Sequence, residues 1–175
     1  MLGIDCGSAA TGYGVIDAAG REVRTVAFGV ILANARLSFP ERLKKIADEL
    51  GVLIEAHSPD AVAVEEVFYS VNVKSALKLG QVRGVALLKA AQAALPVYEY
   101  SPLQIKSSVV GYGRADKNQV QQMMKTLLRL QEIPAEDAAD ALAVALCHAH
   151  CAQTQDKLDS AREGRASRSA QAPRT

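Results

Sequence analysis

Four acidic side chains sit in apolar surroundings. Asp5 closes Met1-Leu-Gly-Ile-Asp5, Glu65 closes Ala61-Val-Ala-Val-Glu65, and Asp137 with Asp140 opens the run Asp137-Ala-Ala-Asp-Ala-Leu-Ala-Val-Ala-Leu146. A carboxylate on so apolar a segment must find a proton, a cation or a metal ion to offset its desolvation. Three separate segments carrying such acids suggest one shared, cation-seeking site. Each also has a plainer reading: Asp5 before Cys6-Gly7-Ser8 as a turn aspartate, Glu65-Glu66 as a solvated strand end, and Asp137 with Asp140 as first-turn acids facing a helix dipole. Only a fold that brings the four together separates these readings.

Oxygen ligands with no histidine or cysteine among them favour Mg²⁺ or Mn²⁺ over zinc, and two such ions held by carboxylates suit cleavage of a phosphodiester. The charge pattern supplies the other half of that chemistry. Net charge is only +1, yet residues 69–130 carry nine basic and two acidic groups, against six and ten before them and five and seven after. This basic block, with Lys74, Lys78, Arg83, Lys106, Arg114 and Lys117, would hold a phosphate backbone while the acids hold metal.

The elements that must position these groups can be read from hydrophobic spacing. Leu2 to Asp5, Gly12 to Asp17 and Val23 to Leu32 read as three consecutive strands, with Asp17-Ala-Ala-Gly20 as the turn between the last two, so an antiparallel meander is expected. Ser38-Phe-Pro-Glu41 matches a capping box, and Leu43, Ile46, Leu50, Leu53 and Ile54 recur at helical spacing until His57-Ser-Pro-Asp60. Ala61 to Val64 lacks polar alternation, as a strand covered on both faces does, and should lie parallel to the first. Asp5 and Glu65 then emerge side by side at two strand ends, while Asp137 and Asp140, spaced i and i+3, share one helix face.

Further helices are expected over Val73 to about Leu95, from Ser101-Pro102 towards Val110, around Val120 to Leu128, and from Asp137 to about Cys151, with a short strand at Pro96 to Tyr100. The sum is an α/β domain over residues 1–152, a five-stranded mixed sheet flanked by helices, whose ligands should gather at strand-end loops. Residues 153–175 are mostly polar and read as a frayed or disordered tail.

Hydrophobic residues at 49% and charged residues at 22% are ordinary for a soluble globular chain, so composition alone names no function. No apolar run approaches the roughly 20 residues of a membrane-spanning helix, and the start lacks a secretion signal, so a cytoplasmic location with no membrane partner is expected. Cys6, Cys147 and Cys151 are too few and too uneven for a disulfide framework. Cys147, His148, His150 and Cys151 crowd together, but within one apparent helix and with no second ligand pair, so buried or incidental side chains are favoured over zinc.

Several motifs then reach a family in unbroken order: Gly3-Ile-Asp-Cys-Gly-Ser8, Thr11-Gly-Tyr-Gly14, Val64-Glu-Glu-Val-Phe68, Ser75-Ala-Leu-Lys-Leu-Gly-Gln-Val-Arg-Gly84, Val109-Val-Gly-Tyr-Gly113, Lys117-Asn-Gln-Val120 and Asp137-Ala-Ala-Asp-Ala-Leu142. Over roughly residues 2–150 the chain closely resembles the RuvC Holliday-junction resolvases. The resemblance implies a ribonuclease H-like fold and a homodimeric, Mg²⁺- or Mn²⁺-dependent endonuclease with two ions per active site. It further implies that symmetric nicking resolves four-way junction DNA in recombination and repair, leaving 5′-phosphate ends, in cooperation with the RuvA and RuvB branch-migration proteins. By position it makes Asp5, Glu65, Asp137 and Asp140 the catalytic metal ligands, with Glu65 rather than Glu66 matching the family acid. Lys106 and Lys117 look like the family's basic residues near the scissile phosphate, and Phe68 like the aromatic that stacks on bases opened at the crossover, a role Tyr69 could share. Residues Gly111 to Asp116 would form a mobile loop facing DNA. Two departures from the pattern stand out: the family usually has proline where Cys6 stands, which sets a thiol beside the proposed metal site, and relatives tend to have a slightly longer lead before the residue that matches Asp5.

Two rival readings stand beside this one. Gly3-Ile-Asp-Cys-Gly-Ser8 with Gly12-Tyr-Gly14 also resembles the first phosphate loop of actin-like and sugar-kinase proteins, which need two lobes and further glycine-rich motifs that 175 residues do not provide. A junction-binding protein without activity is the other, and four intact acids argue against it.

Overall fold

The computed structural model describes residues 1–20, 22–66, 73–111 and 113–170, with 156–170 as backbone only. The expected meander is present as β1 (Leu2–Asp5), β2 (Ala10–Ala19) and β3 (Glu22–Leu32). The last two strands are longer than hydrophobicity alone suggests, because Gly20, at φ 59°, makes the reversal compact and lets Ala18 and Ala19 stay in the ladder. Helix α1 (Phe39–His57) follows, and the amide and hydroxyl of Ser38 both donate to the Glu41 carboxylate, which is the acidic half of the expected capping box. Strand β4 (Val62–Glu65) pairs parallel to β1, and after α2 (Val73–Gln92), β5 (Val97–Tyr100) pairs parallel to β4. The sheet order is β3-β2-β1-β4-β5, a five-stranded mixed sheet as expected.

Strand alternation assigns the two faces. Leu2, Ile4, Val62 and Val64 point to one side and pack with Ile46 and Leu50 of α1 and Val82 of α2. Ala63 and Tyr100 point to the other and pack with α3 (Pro102–Val110), α4 (Lys117–Leu127) and α5 (Glu136–Ala170). Asp5 shares its parity with Gly3, and Glu65 with Ala63, so both acids leave the sheet on the α5 side. Glu66 has the opposite parity.

Helix α5 seats on the sheet at unusually close range. A Cβ on Gly3 would overlap the Ala141 carbonyl oxygen, and a Cβ on Gly12 would overlap that of Asp137, so only glycine lets the helix backbone approach this near. The helix also outlasts the expectation. It was expected to end near Cys151 and give way to a frayed tail, yet residues 153–170 keep a helical backbone. Their polar composition removes a reason to pack but not a reason to coil, since Gln, Lys, Arg, Glu and Ala all favour helix and no proline lies between Pro134 and Pro173.

Candidate active site

Each acid is delivered by a different local rule. β1 and β4 are short parallel neighbours, so Asp5 and Glu65 reach the same edge of the sheet. Gly12 is the Cα partner of Asp5 across the antiparallel ladder, and it is also where the first turn of α5 comes down. One glycine thereby sets Asp137 and Asp140 against Asp5. All four side chains are half-buried.

Their proximity is written in the electrostatics. Burial, followed by the charges of Asp140, Glu65 and Asp137, pushes Asp5 up to about 7. Glu65 is raised by burial and by Asp140, with Lys106 and Lys117 pulling the other way. Asp140 is raised chiefly by burial, with Lys117 and Lys106 opposing and Glu136 and Asp137 adding to the rise. Four acids from three segments feel one another, and two lysines from α3 and α4 feel them too. The solvated-turn and helix-dipole readings of these acids therefore give way to a single cluster.

The flanking lysines are placed by helix caps. Ser101 Oγ accepts from the Gln104 amide at 3.3 Å and starts α3, which carries Lys106 half-buried towards the acids. Asp116 accepts from the Gln119 amide at 2.9 Å while Gln119 accepts from the Asp116 amide at 2.9 Å, so α4 begins with Lys117 as its first residue. That capping box has its sequence signal in Asp116-x-x-Gln119. Lys117 forms an ion pair with Glu136, a neighbour of Asp137 that sequence reasoning also passed over, and this pairing raises Lys117 above its ordinary value.

The other expected contacts divide. Lys74 and Lys78 are exposed on α2, Lys78 with its ammonium 5.8 Å from the centre of the Phe39 ring, and Arg114 is exposed in the loop before α4. Arg83 is not brought to the acids' face. It forms an ion pair with Glu99, whose parity is opposite to that of Tyr98 and Tyr100, and its Nε is buried without a partner. Phe68 and Tyr69 lie outside the described residues, as does Tyr112 of the loop expected to face DNA.

An all-carboxylate set on an apolar seat fits a hard divalent cation by donor chemistry. Among the described residues, no group of three or more His, Cys, Asp or Glu side chains is closed tightly enough to hold a metal ion as it stands. A divalent cation between the four carboxylates would offset their mutual repulsion. Cys6 does not compete as a thiolate, because burial and the Asp5 charge push its thiol up to about 12. The Cys147 group is likewise no metal site: Cys147 and His148 are buried, and His148 Nδ1 lies 2.7 Å from Tyr100 Oη with the Tyr98 ring stacked on it at 4.2 Å.

Comparison with known proteins agrees with this geometry. Residues 1–148 match the family model described as crossover junction endodeoxyribonuclease RuvC. Among relatives of that name, the protein of Geotalea uraniireducens is 55% identical over 86% of this chain and 88% of its own. That of Alkaliphilus oremlandii is 52% identical over 86% and 92%. The solved structure of T. thermophilus RuvC in complex with Holliday junction substrate superposes with a TM-score of 0.83 at 35% identity, covering 88% of this chain and 94% of that one.

Proposed function

Since the chain belongs to the RuvC family of crossover junction endodeoxyribonucleases, we propose that its acidic cluster is the centre at which four-way DNA junctions are nicked. It is a metal-dependent endonuclease of recombination and repair with the ribonuclease H-like fold of its family. The observation that supports the site is the convergence of Asp5 and Glu65, on adjacent parallel strands, with the first turn of α5, which seats on Gly12 opposite Asp5 and carries Asp137 and Asp140.

Bound Mg²⁺ or Mn²⁺, two ions per site, would be held by these four carboxylates and would supply the polarisation that phosphodiester hydrolysis needs. The residues of the chain do the rest. Asp5 and Glu65 stand on adjacent strands whose hydrogen-bonded ladder fixes their spacing, so the ligand set loses little freedom on closing. Lys106 and Lys117 face the same cluster and oppose the charge of the phosphate; Lys117 exchanges Glu136 for a phosphate oxygen when DNA arrives. Water adds to phosphorus in line, the bond from phosphorus to the 3′ oxygen breaks, and 5′-phosphate and 3′-hydroxyl ends result. Lys74, Lys78 and Arg114 would meet flanking phosphates, Arg83 would have to leave Glu99 to do so, and Phe68 with Tyr69 would stack on opened bases.

A two-fold junction calls for a two-fold enzyme. One face of α2 supports a second copy of this chain as the partner. Val73, Leu77 and Leu88 are 71%, 64% and 56% exposed at helical spacing, and Gly80 and Gly84 between them have nothing within 4 Å of where a Cβ would be. An apolar stripe with an open, small centre lets two helices cross closely. Residues 1–152 are taken as the nuclease domain and 153–175 as a polar extension. RuvA and RuvB are taken as the machinery it works with and the cytoplasm as its place. No helix among the described residues is long and apolar enough to cross a membrane.

The test is a labelled synthetic four-way junction with Mg²⁺ or Mn²⁺ against a chelator. Paired, metal-dependent nicks are expected, with cutting lost and junction binding retained in Asp5→Asn. Binding without cleavage by the wild-type chain would instead make it a junction-binding module.

A further inference from the structure

Thr11 and His148 are buried polar side chains, 0% and 7% exposed. Thr11 donates to the Gly7 carbonyl at 2.7 Å and completes a local turn. His148 has no role in the chemistry above, yet it is the hub of a polar contact between distant elements. Its Nδ1 lies 2.7 Å from Tyr100 Oη and its ring stacks on Tyr98.

What this contact joins is informative. Tyr100 is the Cα partner of Glu65 in the parallel ladder, and the Glu66 amide donates to the Tyr100 carbonyl at 2.9 Å, so Tyr100 and Glu65 belong to one rung. His148 belongs to α5, eight residues beyond Asp140, or about 12 Å along a rigid helix. The bond therefore ties the rung that bears Glu65 to the helix that bears Asp137 and Asp140.

The seat of α5 makes such a tie necessary. Over β1 the helix presents Ala141 and Ala145 to Gly3, a contact that permits close approach but offers little shape to resist sliding or turning. Apolar contacts are non-directional, whereas a buried hydrogen bond has a direction and is costly to leave unmade. Single buried polar contacts are known to fix register in helical packing for this reason.

We propose that the Tyr100–His148 hydrogen bond is a positioning device for the nuclease centre: it sets the register of α5 on the sheet and hence the spacing of Asp137 and Asp140 from Glu65. The inference rests on the four acids acting as one metal-binding group. Tyr100 and His148 touch neither metal nor DNA; they act through the carboxylates.

The experiment measures Mn²⁺ binding to the DNA-free protein by calorimetry, alongside the Mn²⁺ needed for half-maximal nicking and the junction affinity in chelator. Tyr100→Phe and His148→Leu are expected to weaken Mn²⁺ binding about tenfold, the low end for groups that orient metal ligands, and to raise the Mn²⁺ requirement equally. Junction affinity without metal is expected to stay at the wild-type value. His148→Asn keeps a polar atom near the Nδ1 position and should recover most of the loss, which separates register from general loosening. Wild-type Mn²⁺ affinity in Tyr100→Phe, or equal losses in His148→Asn and His148→Leu, would overturn the proposal. Asp5→Asn serves as the reference. If it too binds Mn²⁺ normally, the acidic site itself is misread; if it alone loses Mn²⁺, only the positioning role falls.

Discussion

The two faces of the sheet are built from the same strands and do opposite work. Towards α1 and α2, β1 and β4 present Leu2, Ile4, Val62 and Val64, all at most 1% exposed and packed against Ile46, Leu50 and Val82. Towards α5 the same strands present Gly3, Asp5, Ala63 and Glu65, which are either small or acidic. Large side chains bury apolar area and stabilise; small ones let a helix backbone come close enough to deliver Asp137 and Asp140. Period-two alternation thus separates stability from chemistry within four-residue strands. The crowded carboxylates fall at the edge of the α5 face, where β1 and β4 present only small neighbours, Gly3 and Ala63.

If that division holds, damage to one face should leave the other's work intact. Leu50→Ala, on the aliphatic face, is expected to cost about 2–5 kcal/mol in denaturant unfolding while cleavage below the melting temperature stays near wild type. A cleavage defect as large as the stability defect would erase the distinction. Gly12→Ala reverses the pattern. The new methyl group must push the first turn of α5 away, and a shift near 1 Å is expected to slow single-turnover cleavage about 100-fold, with junction binding retained. Smaller again is Lys117→Ala. Its exposed pair with Glu136 contributes roughly 0–1 kcal/mol, so melting should barely move, while cleavage at saturating DNA should slow by about tenfold. An unchanged rate would return Lys117 to a solvated surface role.

The sheet was legible because its signals are local. The strand ends at Asp5 and Glu65, the capping box at Ser38 and Glu41, and the i, i+3 spacing of Asp137 and Asp140 all follow from short-range periodicity. The mutual position of the acids was not, since it depends on α5 landing on Gly3 and Gly12, which are more than 120 residues away in sequence. The family resemblance supplied that placement before any geometry did. Glycine at alternate positions 12 and 14 was the available hint, read only as part of a motif. The Tyr100–His148 contact had no sequence signal at all: a histidine in an apolar helix looks the same whether it is merely buried or bonded. The length of α5 beyond Cys151 was not legible, because low hydrophobicity speaks to packing and not to backbone conformation.

The central claim is that the cost of burying carboxylates beside one another is held at the α5 face until a cation offsets it. The sign follows from Asp5. Its folded value near 7 lies above the ordinary carboxylate value, so the folded chain holds more protons than the unfolded one between about pH 4 and 7, and stability falls as pH rises through that window. The most direct measurement is the metal-free thermal melting of Asp5→Asn beside the wild type at pH 8, with and without Mn²⁺. The variant should be the more stable without metal, by roughly 1–3 kcal/mol, with the advantage fading towards pH 4, and only the wild type should gain stability from Mn²⁺. A variant less stable than the wild type at pH 8, or one stabilised by Mn²⁺ as strongly, would contradict the account.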